Sequence, residues 1–136
     1  ESVIGTVGDD VFVFSGGQGV TAFGGGGADT YTGGAGADIF VFTSTAESAV
    51  GNEDTITNFD KGLSGIDQLD FSAITAGSGT LQTNSGTYDT GGAGPQAIVG
   101  TSGLLELDAN GDGSTDLQIH LTGVGVNGLN SGDITW

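Results

Sequence analysis

The chain has no cysteine, one proline and one Lys or Arg among its 136 residues. Without cysteine there is neither a disulfide nor a thiolate zinc site, so an extracellular chain of this kind needs bound cations as its staple. Lys61 stands alone against 17 acidic residues, which gives a formal charge of −16. Such a surface repels phosphate backbones, which excludes nucleic acid as a partner, and it disfavours anionic membranes. No run of about 18 apolar residues occurs, so no membrane insertion is expected. The start ESVIGTVGDD lacks the features of a signal peptide; the expectation is a soluble fragment, or a chain that leaves the cell without one. Catalytic parts are scarce too. The single histidine, His120, falls on the polar face of an expected strand, and there is no H-E-x-x-H and no G-x-S-x-G. The chain is therefore read as not an enzyme.

What is abundant is glycine, 29 residues with no collagen period. Aromatic and β-branched residues lie between turn residues, which predicts many short strands in one domain with a real core. Residues 24–42 read GGGGADTYTGGAGADIFVF, two consecutive nonapeptides of the form G-G-x-G-x-D-x-U-x with U apolar. Asp29 and Tyr31 fill the sixth and eighth positions of the first, Asp38 and Phe40 those of the second. Glycines permit a tight turn with open carbonyls, and the aspartate adds an anionic oxygen. Calcium, which takes six to eight oxygen ligands, suits that donor set, and the pattern is that of a calcium-binding parallel β-helix.

Residues 5–13 form a degenerate copy, with Asp10 and Phe12 at positions six and eight. Residues 16–23 form another, one residue short, with Thr21 in place of the aspartate. If each nonapeptide is half a coil, Asp10 stacks with Asp29 and Thr21 with Asp38. The inward residues are then Phe12, Phe23, Tyr31 and Phe40, and the better cation site lies between Asp10 and Asp29.

The period breaks after Phe42. Residues 43–53 read as a surface loop, with Glu47 a candidate neighbour of a metal. Apolar residues at Ile56, Phe59, Leu69, Phe71 and Ile74 alternate with polar ones as in short half-buried strands. Residues 75–94 read as a long loop with a weak strand around Leu81. Three strands follow, at 96–99, 104–107 and 117–121. No amphipathic helix is expected, and the fold class is all-β.

Between the last two strands, residues 108–116 read DANGDGSTD. Asp108, Asn110, Asp112 and Asp116 have the spacing of a calcium loop, with Gly113 at its sharp turn. The twelfth position is Ile119 rather than glutamate, and the flanks are strands, so a hairpin is expected instead of a helix–loop–helix. The competing reading is a turn built from residues that favour turns.

The order GGAGADIFVF, DTITNF, DQLDFSAI, QAIV, LLELDANGDGSTDLQIHLTG and SGDITW resembles that of RTX (repeats-in-toxin) C-terminal domains, above all those of serralysin metalloproteases. The calcium-binding modules of alginate epimerases look similar. The resemblance implies a short parallel β-roll, residues 1–45, capped by an antiparallel β-sandwich, residues 46–136, that carries a C-terminal secretion signal. It implies several Ca2+ ions, bound by the carboxylates of Asp29 and Asp38 and the carbonyls of Gly24, Gly26, Gly33 and Ala35. Asp54 and Asp67 match acidic positions of the cap segment that complete the last sites. It also implies type I secretion machinery as a partner and a secreted or cell-surface location. Thr21 in a repeat aspartate position and a long 58–67 segment depart from the pattern. A self-assembling surface-layer, adhesin or filament subunit held together by calcium is the alternative function.

Overall fold

The structure, a computed structural model, describes residues 1–61, 66–82, 88, 94–125 and 128–136. Two sheets face each other. One contains β1 (Ser2–Ile4), β3 (Thr21–Phe23), β5 (Ile39–Val41), β7 (Gln68–Asp70) and β12 (Ile134–Thr135), in that order. The other runs β2 (Val11–Val13), β4 (Thr30–Thr32), β6 (Asp54–Thr57), β11 (Leu117–Leu121), β10 (Leu104–Asp108), β9 (Gln96–Val99), β8 (Thr80–Gln82). Successive strands alternate between the sheets from β1 to β7, so the chain winds as a flattened coil, and every pairing among them is parallel. This is a β-roll.

Composition dictates that winding. Each strand from β1 to β7 is three or four residues long and turns one side chain, or two, inward. Glycine turns between them reverse the chain, and Gly25 and Gly27, at φ +92° and +113°, adopt backbone that side-chain-bearing residues avoid. The inward residues make two ladders, Phe12–Tyr31–Ile56–Leu121 and Val3–Ala22–Phe40–Leu69–Ile134. Phe12 stacks on Tyr31 at 5.1 Å, and Tyr31 meets Phe40 edge-on at 5.3 Å. Each large apolar side chain of these ladders that is fully removed from water contributes about 1.5–3 kcal/mol.

One register differs from the sequence expectation. Thr21 pairs with Ile39 and Ala22 with Phe40, so Val20, not Thr21, stacks on Asp38. The inward residue is Ala22 at 1% exposure, while Phe23 is only partly covered. The second repeat is thus a full nonapeptide, residues 15–23, preceded by one additional residue, Phe14. The physical reason is volume: Phe14 packs 6.2 Å from Phe40 and occupies the space beside the small Ala22.

The roll does not stop at Phe42. β6 and β7 add a further layer to each sheet, and β11 and β12 add another, all in parallel pairing. Among the described strands the antiparallel pairings are β9–β10 and β10–β11, and the inner residues Leu105, Leu107, Leu117, Ile119 and Leu121 are fully buried. His120 faces outward beside the carbonyl of Ser102, as expected for the polar face. Among the described residues a four-residue helix, α1 (Ser72–Thr75), and a 3-10 turn at Ser131–Asp133 interrupt the strands. Most of the 83–93 stretch, the centre of the long loop expected at 75–94, lies outside the described residues, as does part of the 58–67 segment.

Candidate metal centre

The register aligns two columns of side chains at the points where strands leave their turns. Asp10, Asp29 and Asp54 form one column; Val20, Asp38 and Asp67 form the other. The same bond links every step. Asp10 N–H donates to Asp29 Oδ1 at 2.9 Å, and Asp29 N–H to Asp54 Oδ1 at 2.8 Å. In the other column Val20 N–H donates to Asp38 Oδ1 at 2.9 Å and Asp38 N–H to Asp67 Oδ1 at 2.8 Å. Each carboxylate thereby satisfies the main-chain donor of the layer before it, a charge-assisted bond about twice as strong as a neutral one.

The second oxygens divide the columns. Asp38 Oδ2 accepts the N–H of Gly34 at 2.8 Å, and Asp67 Oδ2 that of Asp60 at 2.9 Å. Asp10 Oδ2 accepts from the N–H and hydroxyl of Thr6. Asp29 Oδ2 and Asp54 Oδ2 are buried and receive no hydrogen bond of acceptable geometry. These two aspartates are each 1% exposed. Burial pushes the Asp54 carboxyl up to about 7, helped by the charges of Asp29 and Glu47. Burial likewise raises Asp29, and raises Asp67 to about 6. Two adjacent buried carboxylate oxygens with nothing to compensate them call for a cation.

The turn beside this pair packs directly on it. A Cβ on Gly24 would lie 2.0 Å from Asp29 Oδ2, so only glycine leaves the space. The turn carrying Gly24 and Gly26 stacks on that of residues 5–9, with Gly26 N–H on the Thr6 carbonyl at 3.0 Å. The turn carrying Gly33 and Ala35 stacks on that of residues 15–19 through Ala35 N–H and the Gly16 carbonyl at 3.0 Å. The fold thus brings all four expected carbonyl-bearing residues to the layered turns of the roll. Among the described residues no three His, Cys, Asp or Glu side chains cluster as a metal-binding group. A roll site offers two carboxylates at most, with main-chain carbonyls as the remaining donors. These are hard oxygen ligands, which fit calcium and not zinc or copper.

Residues 108–116 stand apart from the roll, in the β10–β11 hairpin that the sequence predicts. Asp108 is fully buried and accepts N–H bonds from Gly111 at 2.7 Å, Asp112 at 3.2 Å and Gly113 at 2.7 Å. Asn110 Oδ1 accepts from Asp112 N–H, Asp112 Oδ1 from Ser114 N–H, and Asp116 Oδ2 from Ala109 N–H. The hydrogen bond donated by the Ser114 N–H holds the Asp112 carboxyl below its usual range. One oxygen of each of Asn110, Asp112 and Asp116, and both of Asp108, are therefore engaged by amides of the loop itself.

Three participants escape the repeat pattern. Ser48, fully buried, donates its hydroxyl to the Gln118 carbonyl and accepts Asp54 N–H at 2.7 Å, which ends the first column. Glu47 is held by Thr43 rather than by a turn of the roll. Tyr31 brings a hydroxyl to the Asp29–Asp54 pair. Sequence spacing gives no signal for Ser48, because it lies outside the repeats and its Gln118 partner is distant in the chain.

A family model described as peptidase M10 serralysin C terminal matches residues 1–134. The chain belongs to that family. The serralysin C-terminal family is of RTX type, and RTX repeats generally bind calcium, in keeping with the donor set of the two columns. The fold is shared with the AlgE6R3 subunit of the Azotobacter vinelandii mannuronan C5-epimerase, known from a solution structure. The TM-score is 0.59 at 22% identity, covering 98% of this chain and 76% of that one. Among curated proteins none matches this chain.

Proposed function

We propose that this serralysin C-terminal domain folds on binding calcium outside the cell and serves as the export and stability module of a type I-secreted bacterial protein. The observation that carries the reading is the Asp29–Asp54 pair, two buried carboxylates whose Oδ2 atoms accept no hydrogen bond. Asp29, Asp54, Asp38 and Asp67 would hold the cations, with the carbonyls of Gly24, Gly26, Gly33 and Ala35, and Asp10 at the first turn. A bound calcium supplies the positive charge that lets these carboxylates lie close together out of water. Asp108, Asn110, Asp112 and Asp116 are a further proposed site, where a cation would have to displace amide donors.

Where calcium is scarce, a charge of −16 and 29 glycines oppose compaction. The free energy of cation binding then appears as folding free energy. Ile134 and Thr135 pair with β7, and Asp133 and Ile134 are nearly buried, so secretion machinery would read these residues on the unfolded chain. Far-ultraviolet circular dichroism in millimolar calcium and in excess chelator tests the reading. Equal β content in both would sink it.

A self-assembling extracellular subunit is a second reading, favoured by one observation. Ile4, Val7, Val11 and Val13 are all exposed, and they lie in or beside β1 and β2, the edge strands of the two sheets. Unpaired edges of this kind invite strand addition. Sedimentation in calcium separates the two: a monomer favours the module, calcium-dependent polymers the subunit.

A further inference from the structure

We infer that Tyr31 is a positioning residue for the Asp29–Asp54 cation site, its phenol hydroxyl orienting the carboxylates that hold the ion. The inference rests on the calcium reading above and adds to it a residue that the repeat pattern requires only to be apolar. The ring meets that requirement by stacking on Phe12 and packing edge-on against Phe40. The hydroxyl is left to be explained.

Its position is specific. A Cβ on Gly24 would lie 2.0 Å from the Tyr31 hydroxyl and 2.0 Å from Asp29 Oδ2, so both oxygens sit over the same glycine. The Asp54 carboxylate also lies close enough to the phenol for its charge to act on it. Tyr31 is 1% exposed, which leaves water little access to that hydroxyl. Burial and the charges of Asp54 and Asp29 keep the phenol protonated, hence a donor.

The other column supplies the contrast. There the residue equivalent to Tyr31 is Phe40, which has no hydroxyl. Asp38 Oδ2 and Asp67 Oδ2 need none, because the amides of Gly34 and Asp60 orient them. On the Tyr31 side no amide reaches Asp29 Oδ2 or Asp54 Oδ2, and the phenol is the donor at hand. Two chemically different solutions therefore serve the two columns. Groups that orient ligating carboxylates are worth about 10–100-fold in metal affinity.

The test uses the intact chain, calcium, and terbium as a luminescent ion of the same oxygen preference. Tyr31→Phe is expected to fold in calcium, since Phe12 and Phe40 occupy equivalent inward positions, and to lose about tenfold in calcium affinity. The chain has two tyrosines and one tryptophan. In Tyr88→Phe, tyrosine-excited terbium emission, corrected for that obtained by exciting Trp136 alone, is expected to persist. Adding Tyr31→Phe is expected to abolish it while dialysis still shows terbium bound. Unchanged calcium affinity in Tyr31→Phe overturns the inference. So does the absence of tyrosine-excited emission from Tyr88→Phe at full terbium occupancy, an arm that needs no change at Tyr31. If the wild-type chain binds no cation, the calcium reading itself fails. That outcome is distinct, because no arm then shows binding.

Discussion

Asp29 donates its main-chain N–H to Asp54 Oδ1 at 2.8 Å, while the Oδ2 atoms of both residues lie buried and accept no hydrogen bond. One oxygen of Asp54 is spent on building the layer and the other is left for a cation. Asp54→Asn separates the two roles, because an amide oxygen can still accept the Asp29 N–H. Calcium affinity is expected to fall by at least about tenfold, and the chelated chain to become easier to fold. Calorimetric titration with calcium and thermal melts in chelator check the two halves.

Acid should partly replace calcium. Burial raises Asp54 to about 7 and Asp67 to about 6 in the folded chain, against an unfolded value of about 3.9. Groups raised in this way bind more protons folded than unfolded, so they penalise the calcium-free fold increasingly as pH rises from about 4 to 7. In chelator, β content is therefore expected to increase from pH 8 to pH 4.5, and calcium affinity to decrease over the same span. Circular dichroism that shows chelated chain losing structure on acidification would contradict this assignment.

Gly24→Ala should be costly where Gly17→Ala is not. The first places a methyl 2.0 Å from both Asp29 Oδ2 and the Tyr31 hydroxyl, while the second meets nothing within 4 Å. Loss of about 1–3 kcal/mol is expected for Gly24→Ala in calcium and less than about 0.5 kcal/mol for Gly17→Ala. Denaturant melts of the two variants give the comparison.

The column position of Val20 offers a test of register. Val20→Asp adds a nearly buried carboxylate next to Asp38, expected to destabilise the chelated chain by on the order of 3 kcal/mol and to be rescued by calcium. Thr21→Asp, on the outer face, should change little. If Thr21→Asp rather than Val20→Asp steepens the calcium dependence, the register is wrong.

These contrasts mark what a linear reading could reach. The strict period of residues 24–41 foretold the parallel roll and the stacking of Asp10 on Asp29. It misplaced Val20 and Ala22, because a residue inserted at Phe14 and a residue missing from the next repeat look alike until volumes are packed. The hairpin at 108–116 was legible from strand alternation around a turn-forming run. Asp54 and Asp67 have no repeat around them and were reachable only through family resemblance. Their columns are completed by Ser48, Asp60 and the Tyr31 hydroxyl, contacts made between layers and invisible to local spacing. The continuation of the roll through β6, β7, β11 and β12 depends on pairing across the chain for the same reason.

The central claim is that cations at the aspartate columns hold the layers together. Amide hydrogen exchange at Asp29 and Asp38, whose N–H groups donate to Asp54 and Asp67, reports on that directly. Strong protection in millimolar calcium and its loss in excess chelator at pH 8 is the expected result. Equal protection of both amides in the two conditions would contradict it.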